Sequence, residues 1–333
     1  MNRARLDQIA KAVLYEGYML YPYRPSSVKN QQRWNFGVVY PQAYSDAEGG
    51  EEPTRMLTEC LVCGNEETIL EVKLRFLQLP TRSTHQSSEA PVGSLPEGWQ
   101  EAVEREVSVP QFTLEELSLQ AAMRTFAFPA QTQVNSERDG KAIVATVERR
   151  QALIQGMVNV SAKKVRKDLF KASIFVRNTT PLETPASSRD EALIQSLVST
   201  HTILGIKGGE FVSLLEPPEE LQELVAQCQN VGAWPVLVGE PGQRDTLLAS
   251  PIILYDYPQI APESAGDLFD GTEIDEILSL RIMTLTDEEK REIRQSDERA
   301  RQILERTEAM PAEQFMKLHG AVRGLRPLKE DKP

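Results

Sequence analysis

The sequence predicts an α+β protein that consists of a β-rich N-terminal portion, a small α/β portion and a helical C-terminal extension. Alternating apolar and polar residues, typical of half-buried strands, recur through the first half of the chain. Short apolar runs then alternate with helical patterns, and capped helical patterns fill the end of the chain. We expect the corresponding domains at residues 1–180, 181–262 and 263–333.

The N-terminal domain is predicted to begin with a helix. Its apolar residues recur at spacings of three and four, which places them on one helical face: Leu6, Ile9, Ala10, Val13 and Leu14. Gly17 ends the pattern, because glycine readily adopts the backbone conformation that follows a helix.

An aromatic and basic stretch follows this helix, with prolines that favour an extended, turn-rich backbone. Tyr, Trp and Arg dominate the energetics of protein interfaces, because they bury a large area and keep a polar group. We therefore predict a partner-binding site at Tyr21, Tyr23, Arg24, Lys29, Arg33 and Trp34. Two alternatives are stacking on single-stranded nucleic acid and burial of the aromatic side chains in the core of a small β-domain.

Strands are predicted to follow. Residues 69–79 alternate apolar and polar side chains, as in a half-buried strand. Residues 81–97 are rich in Ser, Thr, Pro and Gly and are predicted to form an exposed loop. Residues 152–178 have two β-branched arms around a basic tip, which indicates a β-hairpin. Shorter strand candidates occupy residues 104–109, 122–128 and 142–148.

The α/β portion is predicted from an alternation of helices with short strands. Ser188 and Glu191 have the spacing of a helix cap, and the helix after them is expected to carry apolar residues as far as Val198. Pro217 begins a second helical pattern. Short apolar runs predict strands at residues 211–215, 234–238 and 252–255.

The C-terminal extension is predicted from two capping sequences. Thr272 and Thr286 each precede acidic residues in the first turn of a helical pattern, and the second pattern reaches about Thr307. Its apolar stripe is thin and its charges are many, so we expect these acidic helices to be exposed or to pack on a partner.

Composition excludes several classes of protein. The chain has 333 residues, 40% of them hydrophobic, which is too apolar for a wholly disordered chain, and it has neither a collagen repeat nor a disulfide framework. No apolar run reaches membrane-spanning length, and the first residues lack the apolar core of a signal peptide. Because its three cysteines fit a reducing compartment, we expect a soluble, cytoplasmic protein without a membrane span.

Charge is segregated along the chain. The net charge is −12, yet residues 1–44 carry +4 and residues 119–180 carry +7, whereas the intervening blocks are acidic. Such alternation describes surfaces and partners rather than the fold. It favours a protein whose surfaces meet protein partners, and the overall acidity disfavours a nucleic-acid partner.

One short motif indicates metal or redox chemistry. Cys60 and Cys63 form a CxxC pair, a spacing in which two sulfurs can face one point. Cys228 is the only other cysteine and His85 is the nearest histidine, so the sequence lacks the second ligand pair of a structural zinc site. No cofactor is therefore predicted. The alternative is a metal-binding protein or metal-dependent enzyme with zinc or iron at Cys60, Cys63 and His85, or with a cation at the acids between Asp267 and Glu276.

No catalytic residue set is predicted. The three histidines lie far apart, and neither a GxSxG nucleophile motif nor a phosphate-binding loop occurs. This pattern favours a protein that is not an enzyme.

Several strings resemble a bacterial protein family that is encoded in gene clusters for nickel-iron hydrogenases and their maturation factors. They are Tyr18–Asn30, Trp34–Gly37, Glu59–Val62, Ser250–Pro258 and Asp267–Leu278. The resemblance implies a non-enzymatic accessory or assembly protein that assists hydrogenase maturation. We expect it to bind hydrogenase subunits or maturation factors through the aromatic and basic stretch and the acidic C-terminal helices.

Overall fold

The computed structural model describes most of the chain between residues 36 and 259 and a short part of the C-terminal region. The described residues are 9–10, 13–14, 36–86, 102–139, 142–182, 188–259, 286–294, 301, 304–305 and 308–309. They form a mostly β protein that is built around one large antiparallel sheet.

The described strands run antiparallel to their neighbours throughout. They are β1 (Arg55–Gln78), β2 (Thr81–Gln86), β3 (Val103–Thr113), β4 (Ala122–Phe128), β5 (Gln131–Asp139), β6 (Ala142–Gln151), β7 (Ile154–Arg166), β8 (Leu169–Asn178), β9 (Val198–Phe211), β10 (Trp234–Leu237) and β11 (Thr246–Ser250). The described helices are short: α1 (Gln42–Ala47), α2 (Leu114–Leu119), α3 (Arg189–Ile194), α4 (Gln222–Val225) and α5 (Asp287–Arg294), with a 3₁₀ turn at Glu219–Leu221.

Strand β1 organises the large sheet. Its N-terminal half pairs with β8, starting with Arg55 opposite Arg177, and its C-terminal half pairs with β3, ending with Gln78 opposite Val103. Its other edge pairs with β9. The sheet order is β10-β11-β9-β1-β8-β7-β4, with β3 beside the second half of β1. One strand therefore supplies ladder hydrogen bonds to three neighbours.

An isolated pair of backbone hydrogen bonds links β1 to the segment before β10, the strand at the end of the sheet. The backbone N–H of Leu57 donates to the carbonyl of Val231 at 3.0 Å, and that of Val231 donates to the carbonyl of Leu57 at 2.9 Å. Val231 lies three residues before β10, at the other end of the path from β1 through β9 and β11. These strands therefore enclose one side of the core.

On the other side of β1, the sheet curls until β4 covers β1. Phe76 of β1 lies 5.9 Å from Phe126 and 5.8 Å from Phe128 of β4, measured between ring centroids. The Arg105 guanidinium lies 4.7 Å from the centroid of the Phe128 ring. Gly156 of β7 lies directly beneath Phe126, where a Cβ atom would approach the ring within 2.3 Å. The close approach of β7 and β4 thus depends on glycine at this position.

Both faces of the β9 region are covered. Ile9, Ala10 and Val13 are helical and pack with Ile203 and Leu248, on β9 and β11. The predicted N-terminal helix is therefore confirmed at these described positions. Because β9 is buried on both faces, its first nine residues are all buried, and their sequence does not alternate.

The predicted fold class is wrong. Residues 181–262 do not form an α/β unit, because β9 pairs antiparallel with β1 and β11 pairs antiparallel with β9, in the same sheet as the N-terminal strands. No helical C-terminal extension is evident among the described residues, which after residue 259 include one eight-residue helix, α5. The division into three domains stays a prediction.

Several predicted elements are confirmed, including the strand at 122–128 and the β-hairpin at 152–178, in which Val160 faces Ile174. Others are wrong. Residues 81–86 form β2 instead of a loop, Val198 begins β9 instead of lying in a helix, and the strand predicted at 252–255 is absent while β11 forms just before it. For β2 and β9, pairing with a distant strand outweighs local composition.

The packing of Gly156 gives a first prediction. Gly156→Ala is expected to lower the free energy of unfolding by about 1–3 kcal/mol, because the new methyl group overlaps the Phe126 ring. Phe126→Leu removes that overlap, so the double variant should lose less stability than the two single variants added together. Chemical denaturation of the four proteins measures this coupling, and strictly additive losses would contradict it.

Candidate functional site

An open pocket of about 260 Å³ lies where several segments of the chain meet. We call it the arginine pocket, because Arg55 and Arg189 line it. Its other walls come from residues 37–40 and 52–53, together with Met56, Gly232, Trp234 and Pro251. Residues far apart in sequence therefore form its surface.

Backbone hydrogen bonds fix the wall at residues 37–40. The N–H of Tyr40 donates to the carbonyl of Pro53 at 2.8 Å, and the carbonyl of Gly37 accepts from the N–H of Thr200 at 3.0 Å. Gly37 has a φ of +54°, and a Cβ atom there would lie 2.6 Å from the Cβ of Pro251. Glycine is thus required both by the backbone conformation and by the close approach of Pro251.

Glu59, on β1, ties this strand to the chain segment that leads to Trp234. Its carboxylate accepts hydrogen bonds from Lys171 Nζ at 2.9 Å, Ser173 Oγ at 2.9 Å and the backbone N–H of Gln229 at 2.8 Å. Burial raises the pKa of Glu59, but these three donors outweigh that effect and leave the pKa below its ordinary value. Asn230 adds a hydrogen bond from the Glu59 N–H to its Oδ1 at 3.0 Å. These hydrogen bonds fix Gln229 and Asn230, which shortly precede Trp234 in the chain.

The charge of the pocket is unbalanced. Arg55 and Arg189 are both exposed and line the pocket, and Arg177 lies directly opposite Arg55 on β8. Like charges directly opposite each other on paired strands are destabilising. Among the described residues, none of these three guanidinium groups lies within 4.0 Å of a carboxylate, although Glu52 also lines the pocket. Arg177 instead donates to Gln42 Oε1 at 3.2 Å.

The hydroxyl of Tyr40 has no hydrogen-bond partner. Tyr40 is 1% exposed and lines the pocket, and its hydroxyl is buried. Burial raises the pKa of Tyr40 to about 12, although Arg189 nearby opposes this shift. The phenol therefore stays protonated near neutral pH and remains available as a donor. A buried hydroxyl without a partner costs about 1–3 kcal/mol, so a ligand oxygen that accepts from it would be favoured.

Exposed apolar side chains cluster around the arginine pocket in sequence. Of the nine large hydrophobic side chains that are exposed among the described residues, five lie within four residues of a lining residue in sequence: Phe36, Val231, Trp234, Ile253 and Tyr255. Trp234 is 46% exposed and Tyr255 is 86% exposed. Asp256 fixes the last segment, because its Oδ1 accepts from the N–H of Leu237 at 2.8 Å and its Oδ2 from Ser213 Oγ. Exposed large apolar side chains near a pocket make this region a candidate interaction site.

The predicted partner-binding residues lie outside the described residues. They are Tyr21, Tyr23, Arg24, Lys29, Arg33 and Trp34. Two later aromatic residues of the same stretch, Tyr40 and Tyr44, are buried with ring centroids 5.2 Å apart, as the core alternative predicts for them. Phe36 is 40% exposed and adjoins Gly37 of the arginine pocket.

Strand β1 separates the cysteines of the CxxC motif. Cys60 is fully buried in the main core, whereas Cys63 is exposed, because residues three apart on a strand point to opposite faces. Burial raises the pKa of Cys60, and it raises the pKa of Cys228 to about 11. The backbone places His85 on β2, in the smaller sheet of β2, β6 and β5. The fold thus directs the two thiols away from each other.

No group of three or more His, Cys, Asp or Glu side chains suited to a metal ion occurs in the part of the chain that the structure describes. The acids from Asp267 to Glu276 lie outside that part. Of the acidic C-terminal helices, α5 is described, and its Lys290 and Arg294 pair with Glu308 at 3.2 and 2.6 Å.

His201 and Ser250 form a buried pair. His201 Nδ1 lies 2.7 Å from the carbonyl of Ser199, and its Nε2 lies 3.2 Å from Ser250 Oγ. The carbonyl can only accept, so Nδ1 carries the proton and Nε2 accepts from the serine. A nucleophilic serine requires this arrangement, but Ser250 is 0% and His201 is 1% exposed, so no substrate can reach the hydroxyl. The pair fixes the backbone at Ser199, whose φ is +51°.

Comparisons with known protein families and with curated proteins find no match to this chain. Among the helices that the structure describes, none has the length and apolar character needed to cross a bilayer.

The arginine pocket was missed by sequence reasoning. Arg55 and Arg189 stand in acidic blocks of the chain, and nothing in their local sequence distinguishes them. One available signal was Trp234, an isolated tryptophan at the start of a short predicted strand.

Burial of His201 gives a second prediction. Burial lowers its pKa to about 4, from an ordinary value of 6.5. Between these values the unfolded chain takes up a proton that the folded protein does not, so stability falls as the pH falls. The loss from pH 7.5 to pH 5 should be about 2 kcal/mol. Urea denaturation of wild type and His201→Gln at both pH values measures it, and an equal pH dependence in the two proteins would contradict it.

The separation of the thiols gives a third prediction. Any zinc or iron in the purified protein should not depend on Cys60 and Cys63 together, because the two sulfurs cannot bind one ion. Mass spectrometric metal analysis of wild type, Cys60→Ala and Cys63→Ser checks this. Stoichiometric metal that both substitutions remove would show a shared site.

Proposed function

We propose that this protein is a non-enzymatic accessory protein that binds a protein partner at the arginine pocket and its apolar rim. The observation that carries the proposal is the position of Trp234, which is half exposed and lines the same pocket as Arg55 and Arg189. Tryptophan, tyrosine and arginine are the side chains that contribute most to binding energy at protein interfaces. The same combination surrounds the pocket.

The rigid frame supports this role. The pocket walls are held by backbone hydrogen bonds at Tyr40 and Leu57 and by the Glu59 network. Binding surfaces that are already ordered lose little conformational entropy on association. The pocket is therefore suited to recognise a partner without rearrangement.

The identity of the partner rests on the sequence resemblance. Within the proposal, the partner is a nickel-iron hydrogenase subunit or maturation factor. The aromatic and basic stretch includes Phe36, Tyr40 and Tyr44, and Tyr40 lines the pocket. Three cysteines without disulfide bonds are consistent with action in the cytoplasm.

Affinity capture from a hydrogenase-producing native host tests the proposal and gives a fourth prediction. The tagged full-length chain should retain a hydrogenase subunit or maturation factor, and Trp234→Ala should reduce that retention about tenfold or more, as loss of an interface tryptophan typically does. Met123→Ala is the matched control, because Met123 is 64% exposed on β4 and does not line the pocket.

The capture experiment is paired with deletion of the protein in the same host. Deletion should lower hydrogenase activity. Capture of no hydrogenase component, together with unchanged hydrogenase activity, would overturn the hydrogenase assignment. Equal capture by wild type and Trp234→Ala would overturn the assignment of the site.

A further inference from the structure

We propose that the arginine pocket binds a carboxylate side chain of an acidic peptide segment on the protein partner, with an adjacent apolar residue of that peptide packed against Trp234. This inference rests on the proposed function and specifies the chemistry of the same site. Three independent features of the pocket support it.

The first feature is uncompensated positive charge. Arg55 and Arg189 line the pocket, Arg177 stands opposite Arg55, and the described residues provide no ion pair for any of them. Glu52 is the one acidic residue in the lining, so the pocket keeps a net positive charge. Guanidinium groups bind carboxylates through two parallel hydrogen bonds, which makes a carboxylate the complementary ligand.

The second feature is Tyr40. It is one of the lining residues, and its hydroxyl is buried and has no hydrogen-bond acceptor. Arg189 lies close enough to the phenol to lower its pKa, against the larger effect of burial. An oxygen atom placed between them would accept from both groups and satisfy the buried donor. A buried donor beside a guanidinium favours an anionic oxygen over an apolar group.

The third feature is exposed apolar surface beside the arginines. Trp234, which is 46% exposed, lines the pocket, and Phe36, which is 40% exposed, precedes the lining residue Gly37 in sequence. A free inorganic anion would leave this apolar surface exposed to water, whereas a peptide covers it. The combination of arginines with exposed aromatic side chains therefore favours an acidic peptide as the occupant.

Fluorescence anisotropy with a defined probe tests the inference. The probe is a fluorescein-labelled, C-terminally amidated hexapeptide that alternates glutamate with phenylalanine, and its control replaces each glutamate with glutamine. The full-length protein should bind the acidic probe at least about tenfold more tightly than the control, because charge-assisted hydrogen bonds are about twice as strong as neutral ones. Binding should weaken as salt is raised, since the pocket is open to solvent.

Substitutions of lining residues test whether the acidic probe binds in the arginine pocket. Arg189→Gln and Arg55→Gln should each raise the dissociation constant for the acidic probe about tenfold or more, and Tyr40→Phe should raise it severalfold. Arg124→Gln should leave it unchanged, because Arg124 is exposed on β4 and does not line the pocket. Circular dichroism confirms that each variant is folded. Arg55→Lys keeps the positive charge but cannot form the two parallel hydrogen bonds of a guanidinium. Its affinity for the acidic probe should therefore lie between those of Arg55→Gln and wild type.

Several outcomes would overturn the inference. They are equal binding of the acidic and glutamine probes, wild-type affinity in both arginine-to-glutamine variants, and no binding of the acidic probe up to about 1 mM, the limit of weak specific recognition. A dimer seen by sedimentation and dissociated by Arg189→Gln would also overturn it, because a second copy of the chain would then occupy the pocket.

The inference and the proposed function fail separately. Suppose that Trp234→Ala loses a native partner while Arg189→Gln and Arg55→Gln both still capture it. The binding function then stands, and carboxylate recognition is wrong. If no partner is captured although the acidic probe binds, the pocket chemistry stands and the accessory function is wrong.

Discussion

The fold depends on the pairing of one strand, β1, along both of its edges. Its residues 55–63 pair with β8, its residues 69–78 pair with β3, and most of its other edge pairs with β9. A strand that pairs on both sides has few unsatisfied backbone groups, and its side chains can be buried on both faces. Because β8 and β9 come from distant parts of the chain, neither half of the sheet is complete without β1.

The arginine pocket is a consequence of this arrangement. β1 begins at Arg55, shortly after the segment that contains Tyr40 and Glu52. The backbone hydrogen bonds between Leu57 and Val231 bring residues 231–234 beside the start of β1. The first residues of β1 are thus surrounded by segments from four regions of the chain. A pocket formed at such a junction presents side chains that local sequence does not group together, which is why unpaired arginines and an exposed tryptophan meet there.

Local features of the fold could be predicted from the sequence. The alternation of Leu70, Val72, Leu74 and Phe76 correctly indicated a strand, and the β-branched arms around Lys167 correctly indicated the β7–β8 hairpin, because each pattern is fixed by neighbours in sequence. The Ser188 cap is also present, with the N–H of Glu191 donating to Ser188 Oγ at 3.3 Å.

The fold class and the site could not be predicted in this way. β9 is buried on both faces, so it lacks the alternation that identifies a half-buried strand, and its pairing with β1 spans well over a hundred residues of chain. The CxxC motif indicated a shared ligand site on spacing alone, but on a strand that spacing places Cys60 and Cys63 on opposite faces. Spacing predicts convergence only when the backbone conformation is known.

Photo-crosslinking from position 234 tests the central claim, that a protein partner occupies the arginine pocket, most directly. A benzophenone amino acid replaces Trp234 in the full-length chain in its native host, and a second protein carries it at Met123, on β4. The account predicts a discrete crosslinked product from position 234, identified by mass spectrometry as an acidic segment of another protein, and no such product from position 123. Crosslinks from position 123 alone, or none from position 234, would contradict it.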